Sequence, residues 1–158
     1  MIALDIEITS PNDRLKIFKT KGIFDTGATS TVITQETADF LGIKQTGVTT
    51  VSTASHTGMI TSTYRVDLYL KADLKVQGVD VTIGKIASEH GFDCLIGMDI
   101  IALGDFSITN YNGQTCLSLR IPSCHEIDYV KNPTLKASLT PATDNSNYTP
   151  PKKKRKKR

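Results

Sequence analysis

Apolar side chains recur at every second position near the start of the chain, at Ile2, Leu4, Ile6 and Ile8. This period of two places them on one face of an extended strand, because successive side chains of a strand point to opposite faces. Short alternating runs of Val, Ile, Leu and Thr continue along the chain, while aromatic residues make up only 6% of it. Residues of this kind favour strands. The pattern therefore predicts a mainly β fold rather than a helix bundle.

The length of 158 residues fits one domain, and composition changes sharply after residue 121. We predict a folded domain over residues 1–121, a flexible polar linker over 122–151 and a disordered basic tail over 152–158. The linker and tail contain too few apolar residues to form a core. The tail holds seven of the 19 Lys and Arg residues, against 16 Asp and Glu in the whole chain, so the remainder is acidic.

Local signals place turns and a helix between the predicted strands. Thr34 is a typical helix N-cap and Gly42 a typical left-handed stop, so the sequence predicts a short helix between them. Residues 15–18 and 22–24 are predicted as two separate strands. Asn112-Gly113, flanked by alternating segments, predicts a two-residue hairpin turn.

The strand predicted at residues 22–24 leads directly into Asp25-Thr26-Gly27. Peptide hydrolysis without a metal or a covalent intermediate needs a base to activate water and an acid to protonate the products. Two carboxylates that share one proton supply both, because like charges in contact do not both ionise. The tripeptide offers a carboxylate, a hydroxyl to brace the turn, and a glycine for close approach. Taken alone, the tripeptide is a weak signal and is more typical of an ordinary turn.

Two longer motifs follow each other in the chain. Residues 22–33 read Gly-Ile-Phe-Asp-Thr-Gly-Ala-Thr-Ser-Thr-Val-Ile, and residues 93–101 read Asp-Cys-Leu-Ile-Gly-Met-Asp-Ile-Ile. In this order they resemble the two signatures of retropepsin-like aspartic proteases, with space between them for a hairpin. The resemblance covers about residues 1–121. It implies a closed acid-protease β-barrel with short helices and one lobe per chain, of the single-domain cellular or bacterial type.

The resemblance assigns the active-site loop to the first motif. Asp25 would be the catalytic acid and base, and Thr26, Gly27 and Ala28 would form the loop around it. Since the chain has one such tripeptide, the second carboxylate would come from another copy, which makes a homodimer necessary for activity. Retroviral members carry a second Asp where this chain has Thr29, so their substrate preference does not transfer. No metal and no other cofactor is implied.

The second motif and the intervening hairpin would complete the site. Leu95, Ile96 and Gly97 would pack beside the loop as structural support, followed by a short helix over residues 98–103. A hairpin over residues 51–65 would form a flap over the substrate, with Gly58 at its tip. The hairpin is also compatible with an ordinary exposed connection. Asp99 is interpreted as a carboxylate in the first turn of the short helix, and Asp105 as a turn carboxylate.

The cysteines argue for a reducing environment. Cys94, Cys116 and Cys124 form an odd set without paired spacing, and no apolar leader precedes them. His90 with Cys94, or Cys124 with His125, could be considered as zinc ligands, but neither pair has the spacing of a zinc site. We therefore expect an intracellular protein, in the cytoplasm or, if the tail is a localisation signal, in the nucleus. No apolar run is long enough for a membrane span, so no membrane partner is expected.

Two functions remain open from the sequence. The first is an aspartic endopeptidase that acts on a peptide or protein substrate through an Asp25 pair in a homodimer. The second is a non-catalytic dimerisation or peptide-binding module, tethered to nucleic acid by the tail. Seven cationic residues over 152–158 would attract phosphate backbones or an import receptor, and they are equally compatible with a solvated tail.

Overall fold

The computed structural model describes residues 2–53, 56–71, 74–86, 91–128 and 130–131. His90, most of the predicted linker and the whole basic tail lie outside these ranges, so the inferences about them stay predictions. The chain divides into two units, Met1–His125 and Glu126–Arg158. The first unit contains all the strands and helices described below. None of the helices in the described ranges is long and apolar enough to cross a membrane.

The described part of the first unit consists of strands joined by short turns, with two short helices. In chain order the elements are β1 (Ala3–Ser10), β2 (Asp13–Phe24), β3 (Val32–Ile33), α1 (Gln35–Leu41), β4 (Gly47–Val51), β5 (Met59–Tyr69), β6 (Lys75–Ile83), β7 (Phe92–Ile96), α2 (Met98–Ile101), β8 (Asp105–Tyr111) and β9 (Gln114–Arg120). The predicted mainly β class is therefore confirmed.

Six strands close into a ring in the order β1, β2, β7, β3, β6 and β5, with β5 pairing back to β1. Among the described residues, β4 pairs with β5 alone and extends the sheet outside this ring. β7 runs parallel to β2 and antiparallel to β3. The second motif is thus inserted between the strand that precedes Asp25 and the strand that follows its loop.

Apolar side chains from all six ring strands and both helices fill the interior. A fully buried Ile or Leu contributes about 1.5–3 kcal/mol to stability through its removal from water. The core residues are Ile6, Ile8, Phe24, Ile33, Ala38, Leu41, Val66, Leu68, Leu70, Val79, Val81, Cys94, Ile96, Ile100 and Ile101.

β2 corrects one prediction, because residues 15–18 and 22–24 belong to a single strand. The intervening residues contain no turn signal, and their polar side chains find partners on neighbouring strands. The Lys19 ammonium lies 3.0 Å from the Glu7 carboxylate, and the Thr20 hydroxyl donates to Asp93 over 2.8 Å. Paired polar residues therefore continue the strand where the apolar alternation weakens.

The two helices differ in how they end. As predicted, the Thr34 hydroxyl accepts from the Thr37 N–H at the start of α1, and Gly42 ends this helix with a φ of +63°. α2 is shorter than the predicted span of 98–103 and ends at Ile101. Its last turn tightens, because the Leu103 N–H donates to the Ile100 carbonyl three residues back.

β8 and β9 form a separate two-stranded sheet. Asn112 and Gly113 connect them with φ values of +52° and +74°, as the sequence predicted for a two-residue turn. At the base of the hairpin, the Asp105 carboxylate accepts from the Ser123 hydroxyl, the Arg120 guanidinium and the Cys124 N–H. These donors, in that order of effect, lower the pKa of Asp105. Contacts of the first unit thus continue past residue 121, and the domain boundary there stays a prediction.

Asp67 is a buried carboxylate on the outer side of β5, with only 1% of its surface exposed. Its Oδ2 lies 3.3 Å from Arg14 Nε and 3.5 Å from Lys75 Nζ, and its Oδ1 accepts from the Gly78 N–H over 2.9 Å. Burial alone would raise the pKa of Asp67. The Gly78 hydrogen bond, the Lys75 charge, and hydrogen bonds from Lys75 and Gln77 outweigh burial, so the pKa lies below its usual value.

Replacing Asp67 with Asn should lower the free energy of unfolding by about 1–3 kcal/mol at neutral pH. The buried carboxylate that pairs with Arg14 and Lys75 would lose its negative charge. A carboxyl with a lowered pKa in the folded state stabilises above its unfolded pKa of about 4, and this stabilisation is lost as the pH falls through the folded value. The difference between wild type and variant should therefore shrink in acid. Urea unfolding at several pH values measures it.

The matched control is Asp80→Asn, which breaks an exposed ion pair with Arg65 at 2.8 Å. Both side chains of that pair are more than half exposed, so its loss should change stability less than Asp67→Asn does. Equal effects of the two substitutions at neutral pH would show that the buried Asp67 carboxylate does not stabilise the fold more than an exposed ion pair does.

Candidate active site

Asp25 follows the last residue of β2 and is held by backbone bonds on both sides. Its N–H donates to the Ile96 carbonyl over 3.0 Å, which continues the parallel pairing of β2 with β7. Its own carbonyl accepts from the Ala28 N–H over 3.2 Å, which closes the turn through Thr26 and Gly27. The aspartate is therefore fixed at the point where a strand becomes a tight loop.

The Asp25 carboxylate is partly exposed and has two different oxygens. Oδ1 accepts from the Gly27 N–H over 2.9 Å, whereas Oδ2 has no hydrogen-bond donor among the described residues. A methyl group at Gly27 would lie 3.2 Å from Oδ1, closer than ordinary contact. Gly27 thus brings its N–H close to one oxygen and leaves the other available to water.

A second carboxylate, Asp99, anchors the end of the same loop. Its Oδ1 accepts from the Thr31 hydroxyl over 2.8 Å, and its Oδ2 accepts from the Thr31 N–H over 3.0 Å. The Thr31 hydroxyl also accepts from the Gly97 N–H over 3.2 Å, and Thr31 is fully buried. This pair joins the two motifs through side chains.

Backbone contacts join the motifs a second time. The Met98 N–H donates to the Ala28 carbonyl over 2.8 Å, and the Asp99 N–H donates to the Thr29 carbonyl over 3.2 Å. At Gly97 an added Cβ would lie 2.6 Å from the Ser30 carbonyl carbon and 3.0 Å from the Ala28 oxygen. The loop and the start of α2 are therefore in direct backbone contact at Gly97.

The structure thus brings several predicted residues together. Asp25 and its loop contact Ile96 and Gly97, while Leu95 pairs with Ile23 on β2 and with Val32 on β3. Thr26 is exposed. Each of these functional assignments stays a proposal.

Gly58 lies in the connection between β4 and β5. Its φ of +69° suits glycine, and its N–H donates to the Ser52 hydroxyl over 3.3 Å. β4 and β5 are paired from Gly47 opposite Thr63 to Val51 opposite Met59, so a hairpin exists at the predicted place. The described contacts do not connect this hairpin to the Asp25 loop.

The role of Thr31 and Asp99 as anchors was not predicted from the sequence. Asp99 does lie in the first turn of α2, where its Oδ1 also accepts from the Ile100 N–H. Its partner Thr31 is 68 residues earlier, and no local pattern indicates such a pair. The sequence offered only a threonine near the end of one motif and an aspartate in the other.

The surroundings of Cys94 do not favour zinc binding by the cysteines and histidines considered above. Burial, followed by the nearby charges of Asp99 and Asp93, raises the pKa of the Cys94 thiol well above its usual value, so this thiol stays neutral. His90 lies outside the described residues. Within the described ranges, no three His, Cys, Asp or Glu side chains come together to hold a metal ion.

Comparison with known families decides the assignment. A family profile described as aspartyl protease matches residues 14–100, more than half of the chain. The chain belongs to the aspartyl protease family. The matched range contains the whole Asp25 loop, the β4–β5 hairpin and the Asp99 anchor, so the family assignment covers the residues of the candidate site. No match was found among curated proteins.

The solved structures to which the chain is similar include two retropepsin-like domains. A retropepsin-like aspartic protease from Rickettsia conorii is 19% identical with a TM-score of 0.43, covering 68% of this chain and 83% of that one. The retroviral protease-like domain of Ddi1 from Leishmania major is 16% identical with a TM-score of 0.44, covering 81% and 98%. The profile match confirms the aspartyl protease assignment that the sequence predicted.

A foamy viral protease-reverse transcriptase in complex with double-stranded DNA is also similar, at 18% identity and a TM-score of 0.44. The match covers 63% of this chain but only 15% of the viral chain. Membership of the aspartyl protease family rests on the profile match and not on this likeness.

Proposed function

We propose that the protein is an aspartic endopeptidase whose active site forms between two copies of the chain. One observation carries the proposal: a rigid loop holds the Asp25 carboxylate with one oxygen bonded and the other open to water. The family to which the chain belongs supports the reaction class.

The need for a second copy follows from the chemistry of the first. A single ionised carboxylate provides a base but no acid. Asp99 is another carboxylate at this loop, but both its oxygens accept hydrogen bonds from Thr31. We therefore assign Asp99 a structural role. A second Asp25, brought by a partner copy, would supply the missing group.

In the proposed reaction, the ionised Asp25 removes a proton from a water molecule held between the two carboxylates. The water oxygen attacks the carbonyl carbon of the scissile peptide bond, while the protonated carboxyl of the other copy donates its proton to the carbonyl oxygen. The resulting tetrahedral diol then breaks its C–N bond as the carboxyl that took the water proton transfers it to nitrogen, and the other carboxylate, now ionised, takes a proton from one diol hydroxyl to leave a carboxylic acid product. One proton remains shared by the pair, which returns the site to its initial state.

The second candidate is a non-catalytic dimerisation or peptide-binding module with the same fold. The Asp25 arrangement favours the enzyme, because a binding module has no need for a carboxylate with one unbonded oxygen at the loop. The module would be favoured if the protein binds peptide but hydrolyses none at every pH from about 3 to about 7.

The β4–β5 hairpin is proposed as the flap that covers bound peptide. Gly58 has a positive φ that a β-branched residue adopts only with strain, so Gly58→Val should stiffen and distort the connection. We expect a loss of turnover, by about tenfold or more, with little change in melting temperature, because lids control access and exclude water. Unchanged kcat and KM in this variant would contradict the flap assignment.

The decisive test of the proposed function is activity as a function of concentration and pH. Specific activity toward a peptide library should fall on dilution as dimers dissociate, since neither copy holds a complete acid and base. The rate should show a bell-shaped pH profile centred below neutrality, because one shared proton is needed. Hydrolysis whose specific activity is independent of concentration, down to concentrations where ultracentrifugation shows monomers, would contradict the shared site.

A further inference from the structure

The first unit has a cavity of about 700 Å³ outside the candidate active site. It is lined by residues of β1, of β2 and of the end of β5, and none of its lining residues belongs to either of the two motifs. Its volume lies within the range of about 300–1,000 Å³ that is typical of ligand pockets. The proposed reaction gives this cavity no role.

The cavity forms where β5 stops following β1. The two strands are paired over three positions, which end with Glu7 opposite Tyr69, the last residue of β5. The Leu70 N–H then donates to the Leu74 carbonyl over 2.7 Å, which closes the turn that leads into β6. β1 is paired with β2 as far as Ala3. Among the described residues, the part of β1 before Glu7 therefore has a partner strand on one side only.

The open side of β1 presents the backbone of Asp5. In an antiparallel pair, the N–H and C=O of every second residue point to the partner strand. The Ile2 carbonyl accepts from the Phe24 N–H over 3.1 Å, so Leu4 and Ile6 also direct their backbone groups to β2. The N–H and C=O of Asp5 point to the other side, where no described residue pairs with them. Since Asp5 lines the cavity, an open strand edge borders it.

The most buried residues that line the cavity are apolar. Ile6 and Leu70 are only 3% and 5% exposed. Tyr69 lines the cavity beside them, and its ring is held by Lys75, whose Nζ lies 4.7 Å from the ring centroid. Successive side chains of a strand point to opposite faces, so a strand added here would direct one set of its side chains toward this apolar surface.

The exposed charges around the cavity favour an acidic ligand. Lys19 is already paired with Glu7 at 3.0 Å. Lys21 and Lys71 also line the cavity and are exposed, and neither forms an ion pair with another described residue. With Asp5 as the remaining carboxylate, the lining carries a net charge of +1. Lysines beside an open edge oppose pairing with another basic strand and attract an acidic one.

We propose that this cavity binds an extended acidic peptide segment, which adds as a strand to the open side of β1 at Asp5. Strand addition draws affinity from main-chain hydrogen bonds and specificity from alternate side chains. The segment would place an apolar side chain on Ile6 and Leu70, and carboxylates near Lys21 and Lys71. A neutral residue should lie opposite Asp5, because like charges that face each other weaken a strand pair. The binding uses backbone groups of β1 and goes beyond the proposed catalytic function.

A labelled peptide of sequence Glu-Val-Thr-Val-Glu, blocked at both ends, tests the site. It is titrated into the full-length Asp25→Asn chain, so that it is not cleaved. Lys71→Glu in this chain should raise the dissociation constant at least about fivefold, because an attraction becomes a repulsion. The matched control is Lys44→Glu, which makes the same change of charge at an exposed position outside the cavity and should bind the peptide normally.

Two further measurements test strand addition itself. A peptide with N-methyl groups at Thr and both Glu keeps its charges but loses the N–H groups that would pair with β1, so it should bind at least about tenfold more weakly. On binding of the unmodified peptide, amide hydrogen exchange should slow at Asp5. Exchange at Leu4 and Ile6 should stay unchanged, because their N–H groups already point to β2.

Each contrary result has a definite meaning. Binding that Lys71→Glu does not weaken would show that the peptide lies elsewhere, and would overturn the site. Equal binding of the N-methylated peptide would show attraction of charges alone and would overturn strand addition. Failure of the peptide to bind at millimolar concentration would overturn the proposal altogether. These measurements need no hydrolysis, so their failure leaves the proposed function intact, and a wild-type protein without hydrolysis would contradict only that function.

Discussion

Replacement of Asp25 by Asn is expected to abolish peptide hydrolysis while leaving the fold and dimer intact. The amide has almost the same shape as the carboxylate and can still accept from the Gly27 N–H, so the loop should keep its geometry. It cannot take a proton from water at the pH of the assay. Because general acid and base catalysis each contribute about 10²–10⁴-fold, kcat/KM should fall by at least about 10³-fold. Peptide cleavage, followed by mass spectrometry, measures the loss.

Mixtures of wild-type and Asp25→Asn chains separate a shared site from two independent sites. A heterodimer contains only one Asp25 carboxylate, so only wild-type homodimers should be active. Activity should therefore be lower than the fraction of wild-type chains in the mixture. The matched control is Asp5→Asn, which changes an exposed carboxylate on β1. Mixing this variant with wild type should leave the activity per chain unchanged. Activity proportional to wild-type chain across the series would show that each copy works alone.

Replacement of Gly97 by Ala is expected to cost the largest amount of stability of any single methyl addition in the two motifs. Its φ of −88° and ψ of −175° are open to any residue, so the cost is purely steric. The new Cβ would lie 2.6 Å from the Ser30 carbonyl carbon and 2.7 Å from its oxygen, and both are backbone atoms with little freedom to move. Overpacking of this kind costs about 1–3 kcal/mol or more. Denaturant unfolding measures the change.

Gly97→Ala should also lower activity at temperatures where the variant is folded, since the displaced loop carries Asp25. Gly47→Ala is the matched control, because its Cβ would meet only the end of the Thr63 side chain, at 3.2 Å. That variant should lose little stability. A Gly97→Ala protein as stable and active as wild type would mean that the backbone contact between the two motifs is looser than described.

Features with local signals could be predicted from the sequence. The Thr34 cap, the Gly42 stop and the Asn112-Gly113 turn each depend on a few adjacent residues, and the structure places all three as predicted. The class of the fold and the loop containing Asp25 also follow from contiguous residues. The length of β2 was missed, because its polar middle is stabilised by partners on β1 and β7 that the local sequence does not show.

Features that depend on distant residues could not be predicted. Thr31 and Asp99 become partners only because β7 is inserted between β2 and β3. The buried Asp67 has its cations on two different strands, so its burial has no signature in the surrounding residues. The sequence indicated the candidate catalytic residue, while the residues that hold it in place emerged from the topology.

The insertion of β7 between β2 and β3 also constrains the order of events during synthesis. A ribosome that has released residues 1–90 has already exposed Asp25 and its whole loop, but not the carbonyl of Ile96 or the carboxylate of Asp99 that fix them. Contacts between residues so far apart in the chain form late, because the intervening segment must first be closed into a loop. A nascent chain therefore carries Asp25 on an unsupported turn until the second motif arrives, and the site acquires its geometry only when the ring closes.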